Sequence, residues 1–188
     1  MQFISPHIED GVKEILLSEE ESFHAIKVLR FKEGDTIKLF DGSFKYKGVI
    51  KGIVNRRIIV SEIERTETNT KKYRINLYLP FIDKKEFEET VRECTEIGVD
   101  SFFPLITEYT QRIYIPQKLD FERLKRIIIS AVKQSESSTI PSINNPVEFD
   151  KIIENNDRHF ICGVAGDNSC ANIGDVIKMF KGEINIVV

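Results

Sequence analysis

"RTETNTKKYR", Arg65 to Arg74, is polar and carries no hydrophobic period, and the texture of the chain changes across it. Upstream, Thr36 to Asp41 and Lys45 to Ile53 alternate apolar and polar residues on either side of the turn Asp41-Gly42-Ser43. Arg57 to Ile63 is a third predicted strand, entered through a turn at Asn55-Arg56. One helix interrupts this pattern. Ser18 and Glu21 form a capping box, and Phe23, Ile26 and Leu29 or Arg30 follow at helical spacing. Residues 1–68 therefore predict a small β-barrel or sandwich with one helix.

Downstream, over residues 73–188, strands and helices alternate. Arg74 to Leu79 reads as a strand. Asp83 caps a helix with Glu86 at its third position, Phe87, Val91 and Cys94 along one face, and Gly98 as the stop. Ser101 to Ile106 is a strand in which Pro104 argues for an edge or bulge. Asp120 opens a long helix with Leu124, Ile127, Ile128, Ala131 and Ser135 on one face. A short helix over Pro146 to Glu154 follows, then a strand from His159 to Val164, a helix from Ile173 to Phe180 and a strand from Ile184 to Val188. The order β-α-β-α-α-β-α-β predicts a parallel α/β sheet with helices on both faces. "EINIVV", Glu183 to Val188, is apolar on both faces, as a central parallel strand is. Ligands of such sheets sit in the loops after the strands. The expectation is thus that a binding loop follows Val188, the chain being truncated or its tail supplied by another chain.

The 188 residues are 41% hydrophobic and 30% charged, with a formal net charge of -3, which suits a globular protein of one or two domains. No run of about 18 apolar residues predicts a membrane span. The N-terminus "MQFISPHIEDG" has neither the basic nor the apolar region of a signal peptide. The 3 cysteines, Cys94, Cys162 and Cys170, have neither disulfide-framework nor zinc-site spacing. No metal is expected, and the cytoplasm is the expected compartment.

Between Asp41 and Glu62 the hairpin carries Lys45, Lys47, Lys51, Arg56 and Arg57 and no acidic residue. Lys45 and Lys47 share a strand face, with Phe44 and Tyr46 nearby, a pattern that fits contact with a phosphate backbone. Lysines that protect an edge hairpin from aggregation read the same way. In "HAIKVLR", His24 to Arg30, the histidine fits a packed side chain and Arg30 suits a helix end. "DKKE", Asp83 to Glu86, places Lys84 and Lys85 at a helix start, which is either an anion site or a cap with solvated lysines. Glu108 in "TEYTQR" and Gln134 in "AVKQSESSTIP" fall at element ends. "CGVAGDNSCANIG" does not match a phosphate loop and reads as a turn or a cofactor-lining loop.

Three stretches carry a resemblance. "HAIKVLRFKEGDTIKLFDGSF" (His24 to Phe44), "ECTEIGVDSFFPLITE" (Glu93 to Glu108) and "AVKQSESSTIP" (Ala131 to Pro141) are similar, in family order, to signatures of the E-type 16S rRNA methyltransferases. These enzymes of the SPOUT superfamily use S-adenosylmethionine to methylate N3 of a uridine in 16S rRNA. The resemblance implies a PUA- or OB-like barrel followed by a SPOUT α/β domain with a trefoil knot, here C-terminally incomplete, and a homodimer that meets the small ribosomal subunit. It implies Lys84, Glu108 and Gln134 as catalytic residues and Arg30, Lys45, Lys47, Arg56 and Arg57 as RNA contacts. Val164, Ala165 and Gly166 would form the cofactor-side lip. The chain departs from the family at Tyr109-Thr110, where Arg-Ser is usual, and at Lys133 and Ser137, where Glu and Arg are usual. A non-catalytic RNA-binding remnant without a cofactor site is the alternative reading.

Overall fold

A computed structural model describes residues 1–67, 71–81, 83–110, 119–154, 160–162, 171, 173–178, 180 and 182–188. The chain divides into two compact units, Met1–Thr70 with Lys133–Thr139, and Lys71–Val132 with Ile140–Val188. No helix among the described residues is long and apolar enough to cross a membrane.

The first unit runs β1 (Phe3–Ile4), β2 (Glu14–Leu16), α1 (Glu19–Phe23), a π-helical turn (His24–Val28), β3 (Thr36–Phe40), β4 (Lys45–Val54) and β5 (Arg57–Glu67). The strands order as β1-β3-β4-β5-β2, with β1 parallel to β3 and the other neighbours antiparallel. Phe3, Leu17, Ala25, Ile37, Leu39, Ile50, Ile58 and Val60 form its core. The single helix expected from Ser18 begins as read, with the Ser18 hydroxyl accepting from the Glu21 N–H at 3.2 Å. It then widens into the π turn at His24. The strands β1 and β2 are too short to show a period, and the sequence does not reveal them.

Register shifts interrupt the β4–β5 pairing, one of them between Lys47 and Val49. Gly48 sits in that shift, and a Cβ there would lie 2.5 Å from Val60 Cγ1 and 3.1 Å from the Ser61 carbonyl oxygen. Across from it Glu62 takes φ 52°, the left-handed conformation of a bulge. Gly48→Ala is therefore expected to cost about 1–3 kcal/mol by overpacking. Urea unfolding measures it, and a loss near zero would mean that the strands part freely at this point.

Residues Lys133–Thr139 pack into this unit. The Gln2 N–H donates to the Lys133 carbonyl at 3.0 Å, and the Gln2 side-chain amide donates to the Ser137 carbonyl at 2.8 Å. Glu136, at φ 54°, receives Lys38 Nζ and the Met1 amine, each at 2.6 Å. Hydrogen bonds from Lys38, then from Met1, hold its carboxyl down to about 2. A folded pKa below the unfolded one means stability that is present above the ordinary carboxylate range and lost as pH falls toward 2. Glu136→Gln should flatten that acid limb in a melting series, and an unchanged limb would assign the acid sensitivity to other groups.

The second unit runs β6 (Arg74–Pro80), α2 (Lys84–Ile97), β7 (Ser101–Ile106), α3 (Phe121–Ser135, whose end belongs to the first unit), β8 (Ser142–Ile143), β9 (Val147–Glu148), α4 (Phe149–Ile153), β10 (Phe160–Cys162), α5 (Ile173–Ile177) and β11 (Glu183–Val187). The sheet order is β10-β11-β6-β7-β8, with β9 also on β7, and every pairing is parallel. The expected parallel α/β sheet is present, and β11 lies inside it, between β10 and β6. Asn76 on β6 and Asn185 on β11 face each other, buried, and the Asn76 amide donates to Asn185 Oδ1 at 3.0 Å. Tyr78 stacks on Phe103 across β6 and β7, with ring centroids 4.7 Å apart.

Several local expectations need correction. On α2 the buried row is Phe87, Val91 and Thr95, spaced by four, and Cys94 is only half-buried. Strand β7 is not an edge. It pairs with β6 on one side, and on the other with β8 at Ser101 and Phe102 and with β9 at Leu105 and Ile106. Pro104 falls in the gap between those two short partners, where a missing N–H costs no ladder bond. On α3, Leu124, Ile128, Ala131 and Val132 are buried, whereas Ser135 is exposed where the helix ends. The stretch expected to be helical from Pro146 begins as strand β9.

Candidate functional site

In the second unit the carboxyl ends of the strands enclose an open cleft of about 650 Å³. Ile106 and the Thr107–Thr110 turn supply one wall. That turn closes through Thr110 N–H to the Thr107 carbonyl at 3.0 Å and Thr107 N–H to the Thr110 hydroxyl at 2.9 Å. Glu108 and Tyr109 stand at its tip, the latter 85% exposed. The β9–α4 junction brings Glu148, Phe149 and Asp150 to the cleft, and β10 and β11 bring Cys162, Val187 and Val188. Lys151 pairs with Glu148 at 2.8 Å, and this hydrogen bond raises the lysine's pKa. Apolar walls with carboxylates at the rim suit a ligand that has a flat apolar part, hydroxyls and a positive charge.

Glu108 is the sequence-predicted residue that the structure brings to this cleft. Glu148, Phe149 and Asp150 were missed, since only the pairing of β9 with β7 carries them to the ligand edge. Lys84, the first residue of α2, is exposed and lines a separate small cavity with Phe81, Phe87 and Asp120. The Asp83 carboxylate accepts from the Lys85 and Glu86 N–H groups at 2.8 and 3.3 Å, so the helix start is capped by its own chain. The cap expected at Asp83 is thus present, and Lys84 and Lys85 are exposed beside it. Gln134 is exposed near the end of α3, in the segment that packs with the first unit. Val164, Ala165 and Gly166 lie outside the described residues.

The cationic hairpin of the first unit is less uniform than its composition. Lys47 and Arg56 are exposed, and Lys45 is half-buried. Lys51 pairs with Glu14 at 2.5 Å, and Arg57 Nε donates to the Leu17 carbonyl at 2.7 Å. Arg30 is exposed at φ 59° just after the π turn. The aromatic neighbours are engaged within the unit. Phe44 lies under the Arg65 guanidinium at 3.3 Å, and Tyr46 is buried with its hydroxyl donating to Asp41 at 3.1 Å. Burial, then the bond to Asp41, raises the Tyr46 pKa. His24 packs with its ring 6.1 Å from that of Phe3, as expected of a packed histidine.

A parallel α/β unit with an open cleft at its strand ends, preceded in the chain by a mostly antiparallel β unit with a lysine- and arginine-bearing hairpin, defines a two-domain α/β class of protein. Residues 69–188 match the RNA methyltransferase domain, and residues 17–64 match the RNA methyltransferase PUA domain. The chain belongs to the RNA methyltransferase family. The Ribosomal RNA small subunit methyltransferase E of Synechocystis sp. is 28% identical over 141 residues, which cover 74% of this chain and 46% of that protein. The protein of that name from Aquifex aeolicus is 29% identical over 150 residues, 78% and 64% of the two chains. The chain thus spans about half to two thirds of these relatives. Among solved structures, the Ribosomal RNA small subunit methyltransferase E of Neisseria gonorrhoeae bound to S-adenosyl methionine superposes with a TM-score of 0.79 at 22% identity, covering 100% of this chain and 78% of that one. The resemblance read from the three signature stretches agrees with these names.

Proposed function

We propose that the chain takes part in S-adenosylmethionine-dependent methylation of N3 of a uridine in 16S rRNA, as a homodimeric SPOUT enzyme of the cytoplasm. The observation that carries this reading is the order of the two matches, a PUA domain at 17–64 and a methyltransferase domain at 69–188. The cleft chemistry supports it. Ile106, Phe149 and Val187 offer an apolar bed for an adenine, and Glu108, Glu148 and Asp150 offer acceptors for ribose hydroxyls and for a cationic end. When bound, the cofactor supplies a sulfonium methyl group as electrophile. The chain's own task is to hold the uracil in line and to accept the N3 proton, work that is mostly positioning. A placed general base adds a factor of roughly 10²–10⁴. We assign Lys84, Glu108 and Gln134 to the base, and Arg30, Lys45, Lys47, Arg56 and Arg57 to the RNA backbone. Val164, Ala165 and Gly166 are assigned to the cofactor-side lip.

One departure favours a second reading. Tyr109, fully presented at the cleft, stands where the family usually has arginine, which fits an RNA-binding protein without catalysis. Transfer of labelled methyl groups from S-adenosylmethionine to small-subunit particles, with mass spectrometry of the modified nucleoside, separates the two. Label on N3 of a uridine supports the enzyme. Particle binding without any label, and no cofactor heat in calorimetry, leaves the binding protein.

A further inference from the structure

The first unit has a cleft of its own, of about 860 Å³, that the reading above does not use. Its apolar lining is Phe23, Ile26 and Ile53, and Lys27, Asn55 and Arg56 line it as well. Phe23 is 63% exposed and Ile53 47% exposed, so the cleft presents an accessible aromatic ring beside an accessible aliphatic side chain. Among the described residues Lys27 and Arg56 have no ion-pair partner. Glu19 and Glu20, also on the rim, sit in the first turn of α1, where the N-terminal end of the helix favours them.

The backbone puts one of these cations, Arg56, there at a cost. Val54 pairs with Arg57, so Asn55-Arg56 is a two-residue hairpin turn with φ of 50° and 63°. Such a turn favours asparagine first and glycine second. Arginine at the glycine position is a choice that the turn itself does not ask for. Lys27 is presented from the π-helical turn, a rare widening that recurs at functional sites.

We infer that this cleft is a subsite for one unstacked base of single-stranded RNA, stacked on Phe23, with the flanking phosphates on Lys27 and Arg56. The inference rests on the RNA-binding reading above and names where a base, not only the backbone, is held. An exposed aromatic side chain that shares a cleft with unpaired cations is the combination that single-strand binders use, and it tolerates any base. A duplex, whose bases are stacked, gains only the cationic contacts.

The test is fluorescence anisotropy of the whole chain with a single-stranded oligoribonucleotide of mixed sequence, and with the same strand annealed to its complement, over a salt series. Phe23→Leu keeps the apolar lining and removes the ring. It should weaken single-strand binding by roughly 5- to 100-fold with the salt slope unchanged. Arg56→Gly should weaken binding and lower the salt slope by about one, while Tm stays level or rises because glycine suits the turn. If the wild-type chain binds single strands but Phe23→Leu binds them equally well, the subsite is wrong and the RNA-binding reading survives. If Arg56→Gly lowers Tm and affinity together, the arginine is structural and the subsite again fails. If the wild-type chain binds neither form of RNA, both readings fall.

Discussion

Lys133→Ala should destabilise the first unit by about 3–5 kcal/mol. Lys133 Nζ lies 2.7 Å from Glu21 Oε1, and the two side chains are only 11% and 8% exposed. Glu21 Oε2 is buried without a hydrogen-bond partner, so the carboxylate depends on the lysine. Removing the cation leaves a buried charge with nothing to offset its lost hydration. The pair need not itself be a large stabiliser. Glu21→Leu combined with Lys133→Met should therefore recover most of the loss, because an apolar pair of similar size has no charge to hydrate. Urea unfolding of the wild type, both single variants and the double variant closes the cycle. A single-variant loss under about 1 kcal/mol would mean that water reaches the pair.

Asp41→Ala is the second change with a large expected effect, about 2–4 kcal/mol. Asp41 Oδ1 accepts from the N–H groups of Phe44 and Ser43 at 2.7 and 2.9 Å. Its Oδ2 accepts from the Ile8 N–H at 3.3 Å and the Tyr46 hydroxyl at 3.1 Å, with His7 Nδ1 at 3.4 Å. One carboxylate thus closes the β3–β4 turn and ties the N-terminal segment to it. Burial alone would raise its pKa, but the hydrogen bonds from Phe44, Ser43, Ile8 and Tyr46 outweigh burial and lower it. The sign follows: this stability is present above the ordinary carboxylate range and is lost as pH falls through the lowered folded value. Asp41→Asn, which keeps an acceptor for the turn N–H groups, should cost less than Asp41→Ala and should remove this acid-sensitive part. Equal losses for the two variants would point to packing alone.

Much of this was legible in the sequence. The long strands β3 to β7, the Asp83 cap and the Gly98 stop of α2, and the interior place of β11 all follow from periodicity and end chemistry. Strands of two or three residues have no period to read, so β1, β2, β8 and β9 were invisible, and with β9 went Glu148 and Asp150. The partnership of Lys133 with Glu21 spans 112 residues, and no local rule announces it. The basic hairpin was legible as charge but not as availability. Lys51 and Arg57 are committed to neighbours that only the fold supplies, and Phe23, read as part of a helical face, turns out to face solvent.

The sheet order also bears on how the chain is made. Asn76 meets Asn185 across 109 residues, because β6 takes β11 as its neighbour. At roughly 5–20 residues per second, that edge of β6 waits roughly 5 to 20 s on the ribosome before its partner is synthesised. During that interval it is a bare template for any passing strand, including β6 of a neighbouring nascent chain. The buried asparagine pair then favours one register over its neighbours. A strand that arrives one residue out of register puts an apolar side chain against the Asn76 amide and leaves that amide unsatisfied.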